Sequence, residues 1–280
     1  MGTECSLLSE DAFLEHKCRF SKDESIQSLV SHIGYLQYFL DNLGHLVFGR
    51  DIIITRSNVV STQDIVQSAV FTLKTIQFCC EYGHLADVNV LVRKYRDDLF
   101  FYLYVFLGAN SDLLSTDNLT KHEQNINRWV SNDLRNLHIS DILKYIAKDP
   151  SLNLAIKKYD MEASFQIIGK KLNNFVHGNG ISYYNKWHWR YSRDELKKSV
   201  DDIRHGLDYI TTVFVFLLTL IKPSCIMSYD YIDSLDCGMN PLEQSQYWVA
   251  PFIQEFFAQN KSVLGDDCVL FIREQTGMLL

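Results

Sequence analysis

The chain has 280 residues, of which 47% are hydrophobic, 22% are charged and only four are prolines. This composition excludes an intrinsically disordered protein, and the length allows one large domain or two small ones. The formal net charge is −7 at pH 7. Non-specific attraction of the whole molecule to nucleic acid is therefore not expected, although a local basic patch remains compatible with RNA binding.

Helical periodicity dominates the chain and predicts an all-α protein. The short β-branched stretch 51–60 predicts an extended segment or a small hairpin. Residues 99–107 are apolar on every side and should be central in the fold. The predicted helices span, in chain order, residues 23–48, 61–80, 85–107, 123–137, 140–148, 150–159, 161–176, 193–222, 247–259 and 266–275.

These elements predict one elongated helical bundle over residues 1–225. Its central pair includes the helices at 161–177 and 193–222. Residues 226–280 should form a C-terminal helical extension that packs on the bundle, because about 55 residues bury little core alone.

The cysteines and the apolar runs bear on location and cofactors. Seven scattered cysteines, with no pair at zinc-ligand spacing, indicate reduced thiols and predict a cytoplasmic protein without a metal site. No phosphate-binding glycine loop or metalloprotease motif is present, so no cofactor is predicted. The most apolar run, residues 209–221, is shorter than the ~20 residues that span a bilayer. We therefore predict a buried helix and no membrane association.

The stretch KKLNNFVHGNG, residues 170–180, closes the predicted helix 161–176. His177 is a candidate acid or base, because histidine exchanges protons near neutral pH. Asn173 and Lys170 lie four and seven residues earlier, on the same helix face, with Lys171 beside them. Such a group can bind a phosphate and move a proton. The alternative is an ordinary helix terminus, with the histidine stabilised by the helix dipole and glycines as stop signals.

The sequence after this motif is basic and aromatic. Seven cations and two carboxylates lie between residues 170 and 198, and tryptophans and tyrosines alternate with the charges. Cations beside aromatic faces suit unstacked bases. We predict Lys186, Trp187 and Arg190 as ligand contacts, together with Lys170 and Lys171. The alternative is a surface loop whose tryptophans pack on the bundle.

The order of a helix, the motif N-x-x-x-H-G, a loop and a long amphipathic helix resembles the HEPN superfamily over residues 160–222. Its members are small helical bundles, and many are metal-independent ribonucleases of toxin–antitoxin and phage-defence systems. Asn173 and His177 match the family's polar position and histidine, whereas Leu172 stands where arginine is commonest. The resemblance implies that His177 and Asn173 are catalytic, that RNA is the substrate, and that the protein is a homodimer.

Because Leu172 stands where the family has its arginine, a guanidinium for the His177 site has to come from elsewhere in the chain. We predict that Arg93 or Arg96 packs beside the helix of His177 and supplies it. Solvent-exposed pairs such as Arg93 with Asp97 are the simpler explanation of these charges. Three functions therefore stay open: a HEPN-like protein that binds or cleaves RNA in prokaryotic defence, a non-catalytic helical interaction or dimerisation protein, and a phosphate-ligand-binding protein.

Overall fold

A computed structural model describes residues 10–48, 52–54, 59–108, 119–133, 137–186, 191–240 and 248–280. In these residues the protein is all-α, as predicted, with one short hairpin in which residues 52–54 pair antiparallel with residues 59–61. A 3₁₀ turn at Pro223–Ile226 follows the long helix Arg193–Ile221. The elements are α1 (Glu10–Phe20), α2 (Glu24–Phe48), β1 (Ile52–Ile54), β2 (Val59–Ser61), α3 (Thr62–Glu81), α4 (Leu85–Gly108), α5 (Lys121–Val130), α6 (Ile139–Ile146), α7 (Pro150–Lys158), α8 (Met161–His177), α9 (Ile181–Lys186), α10 (Arg193–Ile221), α11 (Tyr229–Asp236), α12 (Pro251–Gln259), α13 (Lys261–Leu264) and α14 (Cys268–Thr276).

The helices form two compact units. The first contains the residues up to Tyr38, Val70–Arg96 and Gln166–Leu207. Its helices bury the apolar residues that recur every three or four positions, as an amphipathic helix requires. The fully buried side chains of this unit include Ile26, Leu29, Ile33, Leu73, Ile76, Val88, Tyr95 and Leu207.

A tight turn joins α3 to α4 in the first unit. Gly83 adopts a φ of +74° there, in the left-handed region that side chains with a Cβ avoid. A Cβ at this position would also lie 2.3 Å from the buried ring of Phe20. Only glycine therefore allows α1 to pack so closely against this turn.

The second unit contains Phe39–Ala69, Asp97–Phe165 and Asp208–Leu280. Here the C-terminal helices pack on earlier helices. The ring of Phe39 stacks on Phe256 with 4.0 Å between centroids, and Lys158 Nζ lies 2.7 Å from the carboxylate of Asp267. The described residues of the extension thus belong to the same unit as the end of α4. The predicted domain boundary at residue 225 stays a prediction.

The predicted central segments are buried. In α4, all residues from 99 to 106 are buried except Phe101, which is half-buried. In α10, one 18-residue window has a mean hydropathy of 1.3, so the helix is long and apolar enough to cross a membrane. However, 78% of that window is buried inside the protein, as expected for the central helix of a bundle.

Some local details follow the sequence and others do not. The backbone N–H of Ser192 donates to Glu195 at 2.8 Å and the N–H of Glu195 donates to the serine hydroxyl at 3.3 Å, the predicted capping box of α10. The helices α1, α9, α11 and α13 were not predicted. The predicted helix at 123–137 begins earlier, because Thr120 caps α5 and places residue 122 inside the helix, and it ends earlier, at Val130.

Candidate functional site

The predicted site lies at the C-terminal end of α8, which ends at His177. Gly178 and Gly180 follow with φ of 58° and 117°, a conformation that glycine adopts without strain. The backbone N–H of Asn179 donates to the carbonyl of Asn174 at 3.0 Å and closes the last turn. The helix therefore stops where the sequence predicts, and the imidazole stands at its terminus.

Three predicted site residues form an exposed row, which we call the α8 row. Lys170, Asn173 and His177 are all exposed, and their separations of three and four residues place them on one helix face. Within the described part of the chain, none of the three side chains has a hydrogen bond, an ion pair or a ring contact. A ligand can therefore reach the row from solvent, but no described side chain orients the imidazole.

The remaining predicted ligand contacts differ in their surroundings. Lys171 Nζ lies 2.5 Å from the carboxylate of Asp202 on α10. This half-exposed pair already satisfies the charge of the lysine, which makes it a weaker phosphate contact than Lys170. Trp187, Arg190 and the side chain of Lys186 lie outside the described residues.

Arg96 packs beside α8, but not at the imidazole. Its side chain is 5% exposed, and its Nη1 atom would lie 3.1 Å from a Cβ on Gly169. The missing side chain of this glycine thus makes room for the guanidinium. Gly169 precedes His177 by eight residues, about 12 Å along an α-helix. Arg93, three residues before Arg96 on α4, is half-buried.

A pocket in the second unit brings together residues that the sequence analysis did not single out. It has a volume of about 420 Å³ and is lined by the C-terminal half of α4, by α5 and by α6. We call it the His122 pocket, after a histidine on α5 that forms part of its wall. Its charged lining residues are Lys121, Arg128, Lys144, Lys148 and Asp141. With the histidine neutral, this lining has a net charge of +3, whereas the whole chain has −7.

Three rings form the wall of the His122 pocket. The imidazole of His122 stacks on Tyr145 with 3.5 Å between centroids and 11° between planes. The ring of Tyr104 meets the imidazole edge-on at 4.1 Å, and the amide of Asn125 donates to the Tyr104 hydroxyl at 3.0 Å. These contacts hold the imidazole in one place.

His122 is buried between these rings and has no hydrogen-bond partner in the part of the chain that the structure describes. It is 4% exposed, and neither ring nitrogen has a partner among the described residues. Burial lowers the pKa of His122 to about 4, a shift that the charge of Glu123 opposes and that of Lys148 supports. The ring is therefore neutral at pH 7. Leaving a buried polar group unsatisfied costs roughly 1–3 kcal/mol, so the residue is not explained by stability alone.

The charges around the pocket are only partly compensated. Asp141 accepts a hydrogen bond from the backbone N–H of His138 at 3.4 Å, which caps α6, and Arg128 pairs with Asp133 at 3.3 Å. Lys121, Lys144 and Lys148 are exposed and form no ion pair within the described ranges. Three lysines without a carboxylate partner thus surround a buried, neutral imidazole.

Sequence reasoning missed this pocket for a physical reason. Its residues come from three helices separated by up to 44 positions, and no short motif links them. The one available signal was the pair Lys144 and Lys148, which lie one turn apart on either side of Tyr145. The misplaced start of α5 also left His122 outside the predicted helix.

Comparison with protein-family models, with curated proteins and with solved structures finds no significant match. Across the described ranges, no group of three or more histidine, cysteine, aspartate or glutamate side chains is arranged to hold a metal ion. The geometry of the α8 row and of the His122 pocket therefore carries the functional argument.

Proposed function

We propose that this protein binds a small phosphate-bearing ligand in the His122 pocket. The observation that carries the proposal is a buried histidine without a hydrogen-bond partner among the described residues, set in a pocket with four cations and one carboxylate. Its volume of about 420 Å³ falls in the usual range of small-ligand sites, roughly 300–1,000 Å³. Unsatisfied polar groups and excess positive charge are both relieved when an anion enters.

The aromatic wall narrows the class of ligand. The imidazole covers one face of Tyr145 at 3.5 Å, and Lys148 Nζ lies over the same ring at 4.9 Å from its centroid. A nucleobase therefore cannot stack on the face of Tyr145 that the imidazole covers. We therefore propose recognition of the phosphate group itself, as in a phosphorylated sugar or an inorganic phosphate.

Titration calorimetry with inorganic phosphate and with pyrophosphate tests the proposal. We expect saturable 1:1 binding that weakens about tenfold in Lys144→Gln, because a hydrogen bond to a charged group contributes roughly 1.5–3 kcal/mol. Lys157→Gln is the matched control, since Lys157 is an exposed lysine of the same unit that does not line the pocket. Equal loss of affinity in both variants, or no binding by the parent protein, contradicts the proposal.

A second candidate function rests on the α8 row. We propose, from the HEPN resemblance, that single-stranded RNA binds along this exposed face, with Lys170 at a phosphate and Asn173 at the ribose. In a cleaving enzyme, His177 would take the proton of the 2′-hydroxyl or give one to the leaving oxygen. The contact of Arg96 with α8 lies about two turns before the imidazole. The described residues thus favour RNA binding over cleavage.

RNA gel-shift and cleavage assays without added metal separate these possibilities. If the α8 row is the site, His177→Ala and Lys170→Ala reduce RNA binding, while His45→Ala, a change at another exposed histidine, does not. Loss of cleavage in His177→Ala alone supports an enzyme. If the parent protein neither binds nor cleaves mixed RNA, the RNA proposal fails.

The non-catalytic interaction function has its own supporting observation. Ile167 and Ile181, near the two ends of the α8 row, are each 72% exposed. Two exposed isoleucines flanking the row are side chains that a second protein surface could cover. The family resemblance implies a homodimer, so light scattering of the parent and of Ile167→Lys tests whether this face holds two copies together.

A further inference from the structure

We propose that an anion bound in the His122 pocket is held together with a proton on His122, so that ligand binding is coupled to proton uptake. This inference rests on the proposed phosphate-binding function and adds how pH regulates it. It follows from the position of the imidazole, which is the only buried group in the pocket lining able to gain positive charge near neutral pH.

The geometry makes His122 the proton acceptor. Each ring nitrogen is buried and unpartnered within the described residues, so one nitrogen is free to take a proton and the other to keep its own. The rings of Tyr104 and Tyr145 fix the imidazole at 4.1 and 3.5 Å. Protonation therefore turns a neutral wall of the pocket into a fifth cation without any movement of the helices.

The charges around the imidazole explain why it stays neutral until an anion arrives. On α5 these are Lys121, Glu123 and Arg128, on α6 they are Asp141 and Lys144, and Lys148 follows α6, with the phenols of Tyr104 and Tyr145 beside the ring. Burial disfavours the imidazolium most strongly, the charge of Lys148 disfavours it further, and that of Glu123 favours it, so the pKa of the free group lies at about 4.

A bound dianion changes this balance. An opposite charge within ~4–6 Å moves a pKa by about 1–3, and the anion also screens the four lysine and arginine charges. The pKa of His122 is therefore higher in the complex than in the free protein. At pH values between these two pKa values, the complex holds up to one more proton than the separate partners. Affinity therefore rises as pH falls, by at most about tenfold per pH unit.

Calorimetry with inorganic sulfate tests the coupling. Sulfate neither gains nor loses a proton in this pH range, so any proton taken up on binding is bound by the protein. Titrations at pH 5 in two buffers of different ionisation enthalpy give the number of protons bound. From a rise of about 1–3 in the pKa of His122, we expect between about 0.4 and 0.9 proton per sulfate for the parent protein. His122→Gln should still bind sulfate, more weakly, with no proton uptake.

Two further variants make the result specific. Asp141→Asn removes the carboxylate of the lining and should leave proton uptake in place, and Lys157→Gln should leave both affinity and uptake unchanged. If His122→Gln does not fold, the histidine ring spectrum of the parent protein gives the same answer, because one imidazole resonance then moves to its charged position when sulfate is added.

The outcomes of these titrations distinguish proton coupling from the anion binding on which it rests. Failure of sulfate and phosphate to bind overturns both. Binding without proton uptake, or uptake that persists in His122→Gln or disappears in Asp141→Asn, overturns the coupling and leaves the pocket as an anion site.

Discussion

Replacing His122 by phenylalanine should make the protein more stable, and more so in acid. Phenylalanine keeps a ring between Tyr104 and Tyr145 but removes two buried nitrogens that have no partner among the described residues. At pH 7 the expected gain is roughly 1–3 kcal/mol, the cost of an unsatisfied buried polar group. Any ligand that binds through the imidazole is lost, so the gain is largest when phosphate and sulfate are absent.

The pH dependence follows from the lowered pKa of His122. The group has a pKa of about 4 in the folded protein and 6.5 as a reference value. Between these values the unfolded chain binds a proton that the folded protein does not. Stability is therefore lost as pH falls from 6.5 towards 4. At about 1.36 kcal/mol per pH unit, lowering the pH from 7 to 4.5 costs roughly 2–3 kcal/mol.

Urea denaturation followed by circular dichroism at pH 7 and pH 4.5 measures both effects. The difference in unfolding free energy between His122→Phe and the parent protein should widen by roughly 2–3 kcal/mol at the lower pH. Tyr145→Phe is the control, because it changes the adjacent ring and removes no imidazole. A difference that stays the same at both pH values would show that His122 is not buried as a neutral group, and would refute the reasoning.

Four further substitutions, one of them a control, test the packing inside each of the two units. Gly83→Ala should destabilise the protein by about 3 kcal/mol, because an alanine there is strained in the left-handed backbone conformation and its Cβ clashes with a buried ring of α1. Gly34→Ala is the control, because this glycine lies inside α2 with open space around it. It should be neutral or stabilise the protein by up to ~1 kcal/mol. Phe39→Ala removes the stack on Phe256 and should cost about 3–5 kcal/mol in chemical denaturation; a loss below ~1 kcal/mol means that α12 does not pack there. Lys171→Met should change the unfolding free energy by less than about 1 kcal/mol, because its ion pair is half-exposed, and a larger loss would contradict that estimate of the pair.

The long helices could be predicted from the sequence because their burial repeats every 3.6 residues. The stripe Ile26, Leu29, Ile33 and Leu36 is fully buried in α2, and local propensity and tertiary packing agree there. The helix α1 gave no such signal, since it is mostly polar and covers the first unit chiefly through Phe20. Short helices such as α9 and α11 have too few residues for a period to be read.

Functional residues were harder to predict than helices, because a site needs groups from several elements. The motif at His177 could be recognised because its residues are close together in the sequence, and the structure places Lys170, Asn173 and His177 in one exposed row. The position of Arg96 at Gly169 depends on how α4 packs on α8, which no local pattern encodes. The His122 pocket is more extreme, since each of its residues is unremarkable within its own helix.

The distribution of charge favours the pocket over the row as the main site. An exposed lysine and histidine beside water keep their hydration, so each gains little when a phosphate replaces that water. The lysines of the His122 pocket are exposed as well, but they surround a ring that is already desolvated. The free-energy cost of burying the imidazole has already been met on folding. An anion in the pocket interacts with the imidazole in a less polar medium than water, where electrostatic attraction is stronger. A protein whose net charge is −7 repels free anions on average, so a pocket with a net charge of +3 is where they would be held.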